Sequence, residues 1–104
     1  MELTDENIDD NLNLINCENQ SLVIGYTDSC HRCKELIDNL NKHNIIFNKI
    51  NLQKNENFSE LIAIKYQLTS INVPLITIYK DGKFIKKIPN KFSVTHILLE
   101  IKNL

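Results

Sequence analysis

The chain has 104 residues, an apolar share of 42% and a formal net charge of -1. That suits one domain, residues 1–104, with a modest core and without the basic excess of a nucleic-acid binder. Its apolar runs are too short to cross a membrane, and three cysteines are too few, and odd in number, for a secreted disulfide scaffold. The acidic start, Met1-Glu2-Leu3-Thr4-Asp5-Glu6, lacks the pattern of a signal peptide, so a cytoplasmic monomer is expected.

Thr4 reads as a helix N-cap, with Asp5 and Glu6 in the first turn and a Leu3–Ile8 staple across it. Ile8, Leu12 and Ile15 then predict a helix to about Asn16. Leu22-Val23-Ile24-Gly25-Tyr26 is a continuous apolar run and predicts a strand buried on both faces. Thr27-Asp28-Ser29 is turn-prone and suits helix capping. Cys33, Leu36, Ile37 and Leu40 recur at helical spacing, with Lys34, Glu35, Asp38 and Asn41 on the other face. Lys42 and His43 suit the negative end of that helix, and Asn44 can take a left-handed stop.

Ile45 to Leu52 predicts a second strand, which completes a right-handed βαβ unit. Phe58, Leu61, Ile62, Ile64 and Leu68 predict another helix. Leu75–Tyr79 and Phe84–Ile88 flank Asp81-Gly82, a hairpin signal. Val94, Ile97, Leu98 and Ile101 predict a closing amphipathic helix, giving the order α-β-α-β-α-β-β-α.

Cys30-His31-Arg32-Cys33 lies between the buried strand and the amphipathic helix. One helical turn brings the two Cα atoms to roughly the 5.5 Å that a disulfide prefers. Cys30 falls where unpaired N–H groups and the helix dipole favour an anion, and His31 and Arg32 add positive charge. All three effects favour the thiolate, which is the nucleophile. A free thiol has a pKa of about 8.5, and lowering it by about two pH units corresponds to about 2.7 kcal/mol. Cys30 is therefore expected to attack, and Cys33, facing the core with Leu36, Ile37 and Leu40, to resolve. A lone CxxC also occurs as half of a zinc site or as a buried structural pair. Cys17, His43 and His96 lack ligand spacing, so no metal is expected. Cys17 reads as an incidental thiol and the two histidines as helix-surface residues.

The CxxC after the first buried strand, Val73-Pro74 before the hairpin, the Asp-Gly turn and the closing helix together resemble the thioredoxin superfamily over nearly the whole chain. The resemblance implies an α/β, thioredoxin-like fold with a central mixed sheet of about four strands flanked by helices. The N-terminal edge strand is expected to be missing, since only Met1 to Leu3 precede the first predicted helix. It also implies that Val73–Pro74 is cis and faces the dithiol, with the Val73 backbone pairing with a substrate chain. Tyr26 and Ser29 would flank that substrate site. Lys49 matches a lysine beneath the dithiol in thioredoxins, and Phe92 would dock the last helix.

Several positions depart from the family patterns. Ser29 and His31-Arg32 replace the tryptophan and Gly-Pro of thioredoxins, and Ile24 replaces their buried acid. Glutaredoxins would carry Pro-Tyr inside the motif, a basic residue at Thr27 and Gly-Gly near Pro89-Asn90. The implied activity is thiol–disulfide exchange on protein disulfides, with no cofactor beyond the Cys30–Cys33 pair. Electrons would come from a thioredoxin-reductase-type enzyme or from glutathione. The alternatives are a glutathione-dependent glutaredoxin and a non-catalytic binding module of the same fold.

Overall fold

The computed structural model describes residues 1–16, 21–89 and 93–104; Cys17, Asn90 and Phe92 lie outside the described residues. Strand β2 (Leu22–Tyr26) is central. It pairs in parallel with β3 (Asn48–Asn51) and antiparallel with β4 (Leu75–Lys80). Strand β1 (Glu2–Leu3) runs parallel to β3, and β5 (Lys83–Ile88) antiparallel to β4, so the order is β1-β3-β2-β4-β5.

Side chains on β2 alternate between two cores, as the two-residue period of a strand requires. Leu22 and Ile24 pack with Leu36 and Leu40 of α1 (His31–Lys42) and with Ile97 of α3 (Val94–Lys102). Val23 packs on the other face with Phe58 and Ile62 of α2 (Glu56–Tyr66), together with Leu3 and Ile50. Gly25 is tightly enclosed: a Cβ there would lie 3.0 Å from both Leu52 and Leu75 atoms, so those side chains would have to give by a few tenths of an ångström. The sheet is thus mixed and covered by helices on both faces, as expected.

The N-terminal segment differs from its sequence reading in two ways. The edge strand expected to be missing is present as β1, so the sheet has five strands and not about four. The predicted helix to Asn16 is replaced by a single 3₁₀ turn, Asp5–Asn7, followed by an irregular loop. The physical reason lies in the Asp- and Asn-rich composition, whose side chains compete with helical backbone bonding. Asp9 Oδ1 accepts from the N–H groups of Asn11 (2.8 Å) and Asn13 (2.9 Å), and Leu12 takes a left-handed conformation at φ 67. Asn13 Oδ1 then accepts from Phe84 N (2.9 Å), which ties the loop to the hairpin.

Other boundaries shift for local reasons. The second strand begins at Asn48 and not Ile45, since Ile45 N donates to Leu40 O (2.9 Å) as part of the wrap that closes α1. Asn44 supplies the left-handed stop there, at φ 56. Ile46 is 84% exposed and adds nothing to the core. Helix α2 stops at Tyr66, with Gln67 left-handed, so Leu68 lies beyond it. Asp81 and Gly82 both have positive φ, which the two-residue hairpin turn demands.

Asp5 has a role that the helix-start reading missed. Its carboxylate accepts from Phe58 N (2.9 Å) and Asn57 N (3.2 Å), capping α2 from 53 and 52 positions upstream. Asn55, at the N-cap position of α2, makes no side-chain cap bond and instead accepts from Asp5 N (2.9 Å). Asp5→Ala is therefore expected to cost about 1–2 kcal/mol, the usual scale for a lost cap. A lower denaturant midpoint with unchanged slope is the expected result, and an unchanged midpoint would remove Asp5 from the folding energetics.

Candidate active site at the start of α1

Strand β2 ends at Tyr26, and the turn through Thr27, Asp28 and Ser29 delivers the chain to α1, with Cys30 N donating to Thr27 O (3.2 Å). Cys30, and not a residue of that turn, is the N-cap of α1: its Sγ accepts from Cys33 N at 3.1 Å. Cys30 and Cys33 are joined by a disulfide, with Cα atoms 5.3 Å apart. Cys30 is half-buried, whereas Cys33 is 1% exposed and rests against the core under α1. The two sulfurs therefore meet different environments although one turn separates them.

The other residues singled out by sequence fall into three groups. Tyr26 and Lys49 line one cavity together with Cys33, of about 210 Å³. Arg32 and Pro74 line a second, of about 350 Å³, between α1 and the start of α3. Ser29 and His31 are exposed on the turn and the first helical residue. The Val73–Pro74 bond is cis, with Pro74 buried and Val73 half-buried at the entry to β4. Ile24 is fully buried among Leu36, Leu40 and Ile76, so the interior beneath α1 is apolar.

Sequence reasoning passed over the groups around Tyr26 and Lys49. Tyr26 donates its hydroxyl to Glu2 Oε1 (2.8 Å), while Lys49 Nζ stands 3.9 Å from the same oxygen and 5.5 Å from the Tyr26 ring centre. Asp28 accepts from Asn51 Nδ2 (3.1 Å), and Asp28 and Asp38 both line the Cys33 cavity. Glu2 acts from a two-residue edge strand that no local pattern marks, and the turn propensity of Asp28 hides any further role.

Among the described residues, no group of three or more His, Cys, Asp or Glu side chains is placed to hold a metal ion. None of their helices is long and apolar enough to cross a membrane. His43 is exposed at α1's C-cap, with its Nδ1 2.8 Å from Asn39 O, and His96 is half-buried on α3.

No protein-family model matches the chain, and a search of curated proteins finds no match. Among solved structures, it is similar to one from work on the thiol resolving mechanism of yeast mitochondrial 1-Cys peroxiredoxin via glutathione/thioredoxin systems. The two are 19% identical, with a TM-score of 0.54 over 84% of this chain and 82% of that one. The chain thus has the thioredoxin fold, with a CxxC disulfide at the start of its first long helix.

The Tyr26 hydroxyl is pushed up to about 12, first by burial and then by its hydrogen bond to the Glu2 carboxylate and that carboxylate's charge. Glu2→Gln removes the charge and is expected to bring the Tyr26 titration down toward its ordinary value near about 10. The raised value means that the neutral phenol favours the fold. That contribution is complete below about pH 10 and is lost as pH rises through about 12. An NMR pH titration of the Tyr26 ring checks both points, and an unchanged value in Glu2→Gln would show that burial acts alone.

Proposed function

We propose that this protein is a thiol–disulfide oxidoreductase whose Cys30–Cys33 dithiol reduces or exchanges disulfides in protein substrates. One observation carries the reading: the half-buried Cys30 sulfur caps α1, while its partner sulfur is buried one turn on. At a helix N-terminus the backbone N–H groups and the dipole stabilise negative charge, so reduction leaves Cys30 poised as a thiolate. That thiolate attacks one sulfur of a substrate disulfide and expels the other as a thiolate. Cys33 then loses its proton and attacks Cys30 Sγ, and the second substrate sulfur leaves. The Cys30–Cys33 bond re-forms, and two electrons have passed to the substrate.

Val73 and Pro74 fit a place for the substrate chain, since Pro74 shares a cavity with Arg32 of the motif. The matched structure comes from work on glutathione and thioredoxin systems, which supports a reductase of the thioredoxin-reductase type, or glutathione, as electron source. Such a carrier fits a reducing compartment such as the cytosol. Turnover with each reductant distinguishes thioredoxin-like from glutaredoxin-like activity, and no turnover with either would overturn the reading.

Cys30 is expected to alkylate first near neutral pH, and Cys33→Ser to trap mixed disulfides that Cys30→Ser does not form. Mass spectrometry of the reduced protein after a short alkylation pulse checks the order; faster labelling of Cys33 would reverse the assignment.

The charges around the motif also predict its poise. Thioredoxin lies near about −270 mV and glutaredoxins near about −200 to −230 mV. Arg32 keeps its charge at all working pH values, and an apolar Ile24 places no negative charge beneath the pair. Both favour the reduced thiolate, while exposure of His31 and Arg32 screens the effect. A net gain of about 1.4–3 kcal/mol raises a two-electron potential by about 30–65 mV, giving about −205 to −240 mV. Equilibration with glutathione buffers measures it, and a value at or below that of thioredoxin would refute the charge account.

A further inference from the structure

The resolving step needs the Cys33 thiol to lose its proton while its side chain is 1% exposed. Burial disfavours a thiolate, so a proton acceptor within reach matters more for Cys33 than for Cys30. Among the described residues, the side of α1 that faces the sheet meets an apolar cluster of Ile24, Leu36, Leu40 and Ile76, which offers no proton acceptor. The polar side of Cys33 is the cavity of about 210 Å³ that it shares with Tyr26, Asp28, Lys34, Asp38 and Lys49. That volume holds several waters at about 30 Å³ each.

We infer that Asp28 accepts the Cys33 proton through a bridging water during resolution, an inference that rests on the dithiol reading above. The other groups facing the cavity narrow the choice. Lys34 and Lys49 are cations and cannot take a proton, and Lys49 on β3 is also near Glu2 of β1. Tyr26 on β2 already carries its proton, donates it to Glu2, and has a raised pKa. Two carboxylates are left, Asp28 on the β2–α1 turn and Asp38 on α1.

Asp28 is the one held from the interior. Its Oδ1 accepts from the Asn51 amide at 3.1 Å, and Asn51 is only 4% exposed. Asn51 Oδ1 in turn accepts from Gln53 N (2.9 Å) and Lys54 N (3.3 Å), which fixes the amide with its NH₂ toward Asp28. A carboxylate has acceptor capacity at both oxygens, so Asp28 can keep this bond and take a water as well. Asp28 and Asp38 are both exposed, so the distinction is the anchor: Asp28 is tied to the buried Asn51, whereas Asp38 stands on α1 one turn beyond Lys34.

The step balances as follows. The thiol proton passes to the water as the water gives a proton to Asp28, and the Cys33 thiolate bonds to Cys30 Sγ. The Cys30–substrate S–S bond breaks, its electron pair leaves with the substrate sulfur, and Asp28 returns its proton to solvent.

Stopped-flow mixing of the reduced protein with a chromophoric aromatic disulfide separates the two events. The first equivalent of released thiol reports attack by Cys30, and the second reports resolution by Cys33. Asp28→Asn is expected to leave the first phase unchanged and slow the second by about tenfold or more near pH 7, at or below the low end of general-base effects because solvent can substitute. Its second phase should then climb about tenfold per pH unit below the thiol pKa, as specific-base dependence requires, and Asp28→Glu should restore much of the rate. A second phase in Asp28→Asn that matches or exceeds the wild-type rate overturns the inference; the faster rate would mean that the carboxylate acts only by repelling the thiolate. Loss confined to Asp38→Asn would transfer the role to Asp38 and also overturn it. If the wild type releases no second equivalent, the dithiol reading itself has failed.

Discussion

The N–H of Cys33 donates to the Cys30 sulfur across 3.1 Å, so the first turn of α1 is closed by a sulfur where most helices use an oxygen. In the disulfide this is a weak bond to a neutral acceptor. Once the disulfide opens and Cys30 ionises, the same N–H meets a full negative charge, and charge-assisted bonds are roughly twice as strong as neutral ones. The helix end adds the equivalent of about half a positive charge. In the proposed exchange, capping and reactivity are therefore one interaction, strongest in the ionised form of Cys30.

That cap holds its position because β2 and α1 are fixed to each other by burial. Leu22 and Ile24 point at Leu36 and Leu40, and β2 has a hydrogen-bonded neighbour on each side. A strand held at both edges cannot slip without turning its apolar side chains to the wrong face. The turn from Tyr26 to Cys30 then has little freedom. The end of β3 supports it from the side, since Asn51 reaches across to Asp28. Gly25 lets Leu52 and Leu75 approach the strand just before that turn, where a Cβ would crowd both at 3.0 Å.

Elements with a strong period were legible in the sequence, as were the two cysteines. β2, α1, the Asp81-Gly82 hairpin and α3 stand where apolar spacing puts them. The N-terminal segment was not, and the reason is specific. Thr4 does accept from Glu6 N, as a cap should, but Asp9 and Asn13 bond to backbone nearby, and Asp5 is committed to α2. Local capping chemistry looks alike in sequence whether it starts a long helix or closes one turn. The missed Glu2 and Asn51 share a further cause. Each acts through a partner distant in sequence, Tyr26 or Asp28, and no local pattern marks such a pair.

A disulfide of this spacing is a poor staple, which bears on why the chain carries one. In the chain-entropy picture, closing a loop of about four residues stabilises a fold by about 2 kcal/mol, against about 4.7 kcal/mol for a loop of about 100. The two cysteines are three positions apart, and α1 already holds them together through its own hydrogen bonds. The bond thus adds little order that the helix does not provide. What the arrangement does provide is asymmetry. One sulfur sits where a charge is welcomed, and the other, one turn on, is buried where a charge is resisted. A structural crosslink has no use for that difference, whereas a two-step exchange depends on it. In the proposed exchange the first sulfur is ionised before substrate arrives, and the second only after the mixed disulfide has formed.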